Sequence, residues 1–202
     1  SRLPSPRYWV QTKDTGWDAP TDWCLSMKDV TSVTNARTTI SAIMPRYGAG
    51  HTLPVLFPGR GSDRDSYVQS APLLLANLNC VILDYLARQK VHGNHLAWYL
   101  LEQLPVVPPR DYTRTFGPKA ASDIVRAAVL ELPYNAYDVA PFARDMGHVD
   151  AKGDAFSSGT KPGASTCAPS SMRSISSSTA CSILPTPPPP AMTSALYIRH
   201  FR

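Results

Sequence analysis

Arg88, Lys90, His92, Gly93, Asn94 and His95 lie within eight consecutive residues and combine the side chains that grip a polyanion with those that read one. Two cations beside a glycine let side chains and backbone amides come close to phosphate oxygens. Asn94 or His95 can reach the edge of a base. The plain alternative is a solvated turn in which Asp84 and Arg88, four apart on a helix, only pair with each other. Arg37, with Thr34 and Ser41 as its helical neighbours, faces either DNA or an acidic partner residue. Arg46 and His51, flanking the turn at Gly48 and Gly50, are secondary candidates for the same contacts. Asn77 and Asn79 sit at a helix boundary, which they cap and order, and Arg144 and Asp145 read as a helix-end ion pair.

The elements that must hold these residues are short and mixed. Residues 8–10 and the alternating Trp23-Cys24-Leu25-Ser26-Met27 predict strands. Asn35 predicts the cap of a helix over residues 36–44, closed by Pro45. Residues 48–57 are apolar and β-branched enough for a strand, and residues 58–65 form a loop. A helix is predicted over residues 66–78, with Pro72 opening a fresh helix at its first position. Residues 81–88 continue with apolar side chains at Val81, Ile82, Tyr85 and Leu86. Gly93-Asn94 is a turn, and residues 95–107 are extended up to the paired prolines. Two further helices are predicted, over residues 119–132, ended by Pro133, and over residues 136–146, ended by Gly147. Tyr134, Tyr137 and Phe142, at helical spacing, read as core residues. The expected class is α/β (mixed), short strands and helices with a small helical extension.

Charge divides the chain. The net charge is +5, but residues 1–150 hold 15 Lys/Arg against 14 Asp/Glu, and residues 151–202 hold 5 against 1. The basic balance therefore belongs to the last segment and does not argue that the folded part binds nucleic acid. That last segment has eleven serines and seven prolines and no apolar periodicity, the composition of a disordered low-complexity tail. The four cysteines, Cys24, Cys80, Cys167 and Cys181, lack zinc-site spacing and read as plain thiols. No apolar run is long enough to span a bilayer and no signal-peptide pattern is present, so no membrane partner is expected and a cytoplasmic location is the default.

Longer blocks carry a resemblance. Leu75-Ala76-Asn77-Leu78-Asn79-Cys80 is followed by Asp84-Tyr85-Leu86-Ala87-Arg88-Gln89-Lys90-Val91-His92-Gly93-Asn94-His95-Leu96, and then by Gln103-Leu104-Pro105-Val106-Val107-Pro108-Pro109. Downstream come Leu130-Glu131-Leu132 and the run YNAYDVAPFARDMG from Tyr134 to Gly147. These blocks resemble the C-terminal DNA-recognition region of large prokaryotic adenine-specific DNA methyltransferases, a group that includes fused restriction–modification and phage-exclusion enzymes. Lys28-Asp29-Val30 and Thr34-Asn35-Ala36-Arg37-Thr38-Thr39-Ile40 match the same region, so the resemblance covers about residues 1–150. It implies a target-recognition-like region over residues 1–118, a helical extension over 119–150 and a tail over 151–202. It implies double-stranded DNA and the catalytic domain of a parent chain as partners, and Arg37, Arg88, Lys90, His92, Gly93, Asn94 and His95 as DNA-binding residues. At the position of His92 the family commonly has Gly or Ser.

The same resemblance defines what is missing. Such an enzyme needs an Asn-Pro-Pro-aromatic loop for the flipped adenine and a Gly-rich turn for S-adenosylmethionine. Pro108-Pro109 follows Val107 and precedes Arg110, and no suitable glycine pair is present, so neither catalysis nor a cofactor is expected of this chain alone. S-adenosylmethionine belongs to the intact parent. Reverse translation of Gly159 to Ala164, shifted by one base, spells W-D-E-A-R-R, which resembles the family's next segment. The tail is accordingly read as translated out of frame from a shift near residues 147–158. Two alternatives stand beside this reading. One is an inert truncated product. The other is an α/β-hydrolase-like fragment, with Leu53 to Gly61 as strand and oxyanion loop and Ile82-Leu83-Asp84-Tyr85 as the next strand. That fold needs a Gly-x-Ser-x-Gly elbow, which the chain lacks.

Overall fold

The computed structural model describes residues 9–11, 20–58, 63–134 and 137–149. The class is mixed helix and strand with small sheets. The tail over 151–202 and residue 8 of the expected first strand lie outside the described residues, and Trp9 and Val10 are not in a strand.

Strand β1, Trp23–Met27, is the centre of a three-stranded antiparallel sheet, with β2, Ser41–Pro45, on one side and β3, Val55–Leu56, on the other. Leu25 pairs with both Ile43 and Leu56. All five residues of β1 are buried. Two expectations are corrected here. The second half of the helix predicted over 36–44 is strand β2, and the long strand predicted over 48–57 shrinks to Val55–Leu56. Asn35 and Pro45 punctuate a strand as well as a helix, and pairing with buried β1 decides in favour of the strand.

Helix α1, Arg64–Leu78, starts where the Asp63 side chain accepts the Ser66 amide at 2.6 Å. Hydrogen bonding to that amide holds the Asp63 carboxyl below its ordinary value. Pro72 does not open a new helix. It sits inside α1, fully buried, and packing of its neighbours Ala71, Leu73, Leu74 and Leu75 into the core outweighs the one lost backbone bond. After Asn79 the chain turns by 65° into α2, Val81–Lys90. The strand that the hydrolase-like alternative requires at residues 82–85 is thus helical. The face of α2 turned inward is Leu83, Asp84 and Ala87, while Val81, Ile82 and Tyr85 are exposed.

The stretch after the turn is not wholly extended, because Trp98–Leu101 forms a single-turn helix, α3. A 3-10 turn at Pro109–Thr113 and a small hairpin of β4, Thr115–Phe116, and β5, Lys119–Ala120, lead to α4, Ala121–Glu131. Gly117 supplies the positive φ (61°) at the hairpin tip. A 3-10 turn at Tyr137–Val139 and α5, Ala140–Asp145, complete the described chain, with Gly147 (φ 75°) as terminator.

One core unites these elements. Val125 and Val129 of α4 and Phe142 of α5 belong to the same buried cluster as Trp23, Leu25, Tyr67 and Leu78. Trp23 stacks on Tyr67 (centroids 5.2 Å apart) and meets Phe142 edge-on at 5.0 Å. The Tyr67 hydroxyl accepts from the Leu25 amide and donates to the Leu56 carbonyl, both at 3.0 Å, which locks α1 onto the sheet. Trp23 Nε1 donates to Asp145 at 2.8 Å, and Arg64 pairs with the other oxygen of that carboxylate. Asp145 is therefore a tertiary partner of β1 and α1, and not the partner of Arg144 that its position in sequence indicates. Cys80, expected as a plain thiol, is disulfide-bonded, while Cys24 is free and buried. Among the described residues no single helix is long and apolar enough to cross a membrane.

Candidate nucleic-acid interface

The site is built on one buried carboxylate. Asp84 lies on the inner face of α2, and its Oδ1 accepts from the Thr38 amide (2.8 Å), the Thr39 amide (2.7 Å) and the Thr39 hydroxyl (3.0 Å). Arg37 Nε stands 3.4 Å from the same oxygen, and Arg88 reaches Oδ2 at 3.5 Å. The two arginines continue into the backbone: Arg37 donates to the Asn79 carbonyl at 2.7 Å, and Arg88 to the carbonyls of Asn35 (2.9 Å) and Ala36 (3.1 Å). Asn79 then brackets Ser41, accepting its amide at 3.0 Å and donating to its carbonyl at 2.9 Å. Asn77 holds the other side of the helix end, donating to Leu73 and Tyr112 and accepting from the Val107 amide. The segment between β1 and β2 is thereby clamped onto the α1–α2 bend.

Burial alone would raise the pKa of Asp84. The Thr39 and Thr38 hydrogen bonds and the Arg37 charge reverse the sign and hold the carboxyl below its ordinary value. A depressed carboxylate contributes stability that is fully present above its unfolded pKa of about 3.9 and is lost as pH falls through the lower folded value. Urea midpoints measured across pH 5 to 2 are therefore expected to drop on the acid side of about pH 4, and Asp84→Asn is expected to flatten that drop.

Next to the clamp, residues 94–96 return along residues 29–31. The Thr31 amide donates to Asn94 O (2.9 Å), the Leu96 amide to Asp29 O (2.8 Å), and His95 Nδ1 meets Asp29 Oδ2 at 2.8 Å. This brings the exposed turn His92-Gly93-Asn94 opposite Ser32 and Val33. Between them lies an open groove of about 630 Å³, with Arg88 and Gln89 forming its α2 wall and Val91 lining it too.

The seven residues singled out from sequence thus separate. Arg37 and Arg88 have their guanidinium groups engaged inside the fold, each with a side chain about one-third exposed (34%). His95 is occupied with Asp29, and Lys90 Nζ donates to Gln103 Oε1 at 3.1 Å while remaining at the surface. His92, Gly93 and Asn94 line the groove, and neither His92 nor Asn94 has a side-chain partner among the described residues. Of the secondary candidates, Arg46 pairs loosely with Asp22 at 3.7 Å in a smaller, separate cleft, and His51 is exposed. Sequence reasoning missed Gln89, Ser32 and Val33. Gln89 was within reach, since it lies between Arg88 and Lys90 at the same helix end. Ser32 and Val33 arrive only through the clamp, which no local pattern announces.

Chemically, the groove offers carboxamides, an imidazole, a hydroxyl and a small apolar wall, and its lining holds no Asp or Glu. No cluster of metal-ligating side chains occurs among the described residues. No protein-family model, curated protein or solved structure matches the chain.

Proposed function

We propose that this chain is a DNA target-recognition portion of an adenine-N6 DNA methyltransferase of a restriction–modification or phage-defence system. Its intact parent would supply the catalytic domain and S-adenosylmethionine. The observation that carries the reading is the groove: the segment whose sequence resembles the family's recognition region folds into a surface on which the side chains of Gln89, His92 and Asn94 stand unengaged around an open glycine. In this reading Lys90 contacts phosphate, the backbone at Gly93 approaches the duplex closely, and His92, Asn94 and Gln89 meet base edges. Arg37 and Arg88 act through the clamp, positioning the turn rather than touching DNA with their full charge.

Gly93 provides the test. Its φ is not positive, and a Cβ built there meets nothing within 4 Å, so the fold itself places no demand for glycine. Gly93→Ala in the full chain is expected to leave the thermal midpoint unchanged and to weaken binding to duplex DNA by about 5- to 30-fold, the equivalent of about 1–2 kcal/mol. Fluorescence anisotropy with a labelled duplex reads this directly. Equal binding by both proteins would remove the turn from the interface.

A further inference from the structure

We infer that the groove selects A·T over G·C at the base step it contacts, with Gln89 and Asn94 as the specificity-determining residues; this deepens the DNA-recognition reading above and rests on it. Each side chain ends in a carboxamide, which presents a donor and an acceptor side by side. That pair matches the N6 donor and N7 acceptor of adenine in the major groove. Neither carboxamide has a hydrogen-bond partner among the described residues, and both line one groove. Val33, 42% exposed on the facing wall, is an apolar surface suited to the methyl group of the paired thymine.

The side chains that chiefly read the other base pair, a free arginine or lysine and a carboxylate, are absent or occupied. Guanine is read chiefly by a free Arg or Lys fork. Arg88, the arginine in the groove, is tied to Asn35, Ala36, Thr38 and Asp84. Cytosine is read by a carboxylate accepting from its N4 amino group, and the groove lining holds none. Lys90, the nearby ammonium, is outside the lining and is assigned to phosphate.

The test is a selection by the full chain from a duplex library with a randomised core, compared with Gln89→Ala, Asn94→Ala and Lys90→Gln. Thermal melts of each variant establish that it is folded. The parent is expected to enrich A·T at one or two adjacent positions. Asn94→Ala and Gln89→Ala are expected to lower the A·T to G·C ratio there at least about fivefold, whereas Lys90→Gln weakens retention of all sequences alike. Enrichment of G·C, duplex retention without base preference, or a uniform loss in the carboxamide variants would overturn the inference while leaving DNA binding standing. Retention of no duplex at all would overturn both.

Discussion

Replacing Asp84 with alanine is expected to destabilise the protein by about 3–5 kcal/mol, the range for removing one partner of a buried ion pair. The reason lies in what remains behind. Two backbone amides, of Thr38 and Thr39, and the Thr39 hydroxyl lose their common acceptor, and the guanidinium groups of Arg37 and Arg88 lose their counter-charge. Thr38 and Thr39 are almost fully buried, so water does not replace the carboxylate there. Asp84→Asn keeps an acceptor oxygen and gives up the charge, and its loss is expected to be smaller. Chemical denaturation of the three proteins at pH 7 measures both. Because the clamp carries Ser32 and Val33 to the groove, DNA binding is expected to weaken in Asp84→Ala at temperatures where most of the protein is still folded.

The second large effect is expected at Trp23. Truncation to alanine removes a fully buried indole that stacks on Tyr67, meets Phe142 and donates to Asp145. Large aromatic-to-alanine changes in a core cost about 3–5 kcal/mol, and domains of ordinary stability hold only about 5–15 kcal/mol in total. Trp23→Phe separates the contributions: it retains most of the aromatic packing but loses the charge-assisted bond to Asp145, worth about 1.5–3 kcal/mol. A urea midpoint for Trp23→Phe equal to that of the parent would mean that Asp145 is held by Arg64 alone.

These two residues also show how far the sequence could be read. Trp23 stands in an alternating run, and that run is a strand with the expected bounds. Residues 119–132 carry a helical apolar pattern, and α4 occupies nearly all of them. Where a single signal admits two structures, local reading failed. Asn35 and Pro45 bound a segment of either kind, and the choice of strand for Ser41–Pro45 comes from pairing with β1. Pro72 ordinarily marks a helix start, and only the packing on both sides of it keeps α1 continuous. On α2 the apolar side chains Val81, Ile82 and Tyr85 lie at the surface while charged Asp84 is buried, an inversion that hydrophobic patterning cannot foresee. Arg88, four residues on, announces one partner of Asp84, as its i,i+4 spacing indicates, but the Thr38 and Thr39 groups that bind the other oxygen lie more than forty positions away and no local pattern reveals them.

The candidate site was legible in outline for a similar reason. The turn His92-Gly93-Asn94 is local and its chemistry is visible in the sequence. The engagement of Arg37, Arg88 and His95 is tertiary, and it changes what each can offer a ligand. A cation that holds a loop in place acts on a ligand through geometry, whereas a free one acts through charge. The arginine in the groove, Arg88, is thus tied into the fold, while the side chains of Gln89, His92 and Asn94 line the groove without partners among the described residues.

The most direct measurement is a salt titration of the full chain on duplex DNA, from about 50 to 200 mM monovalent salt. With Lys90 as the cation assigned to phosphate, log K is expected to fall linearly with log salt at a slope of about −1, and Lys90→Gln is expected to remove most of that dependence. Binding that ignores salt, or no binding even at the lowest ionic strength, would contradict the assignment of this chain to DNA recognition.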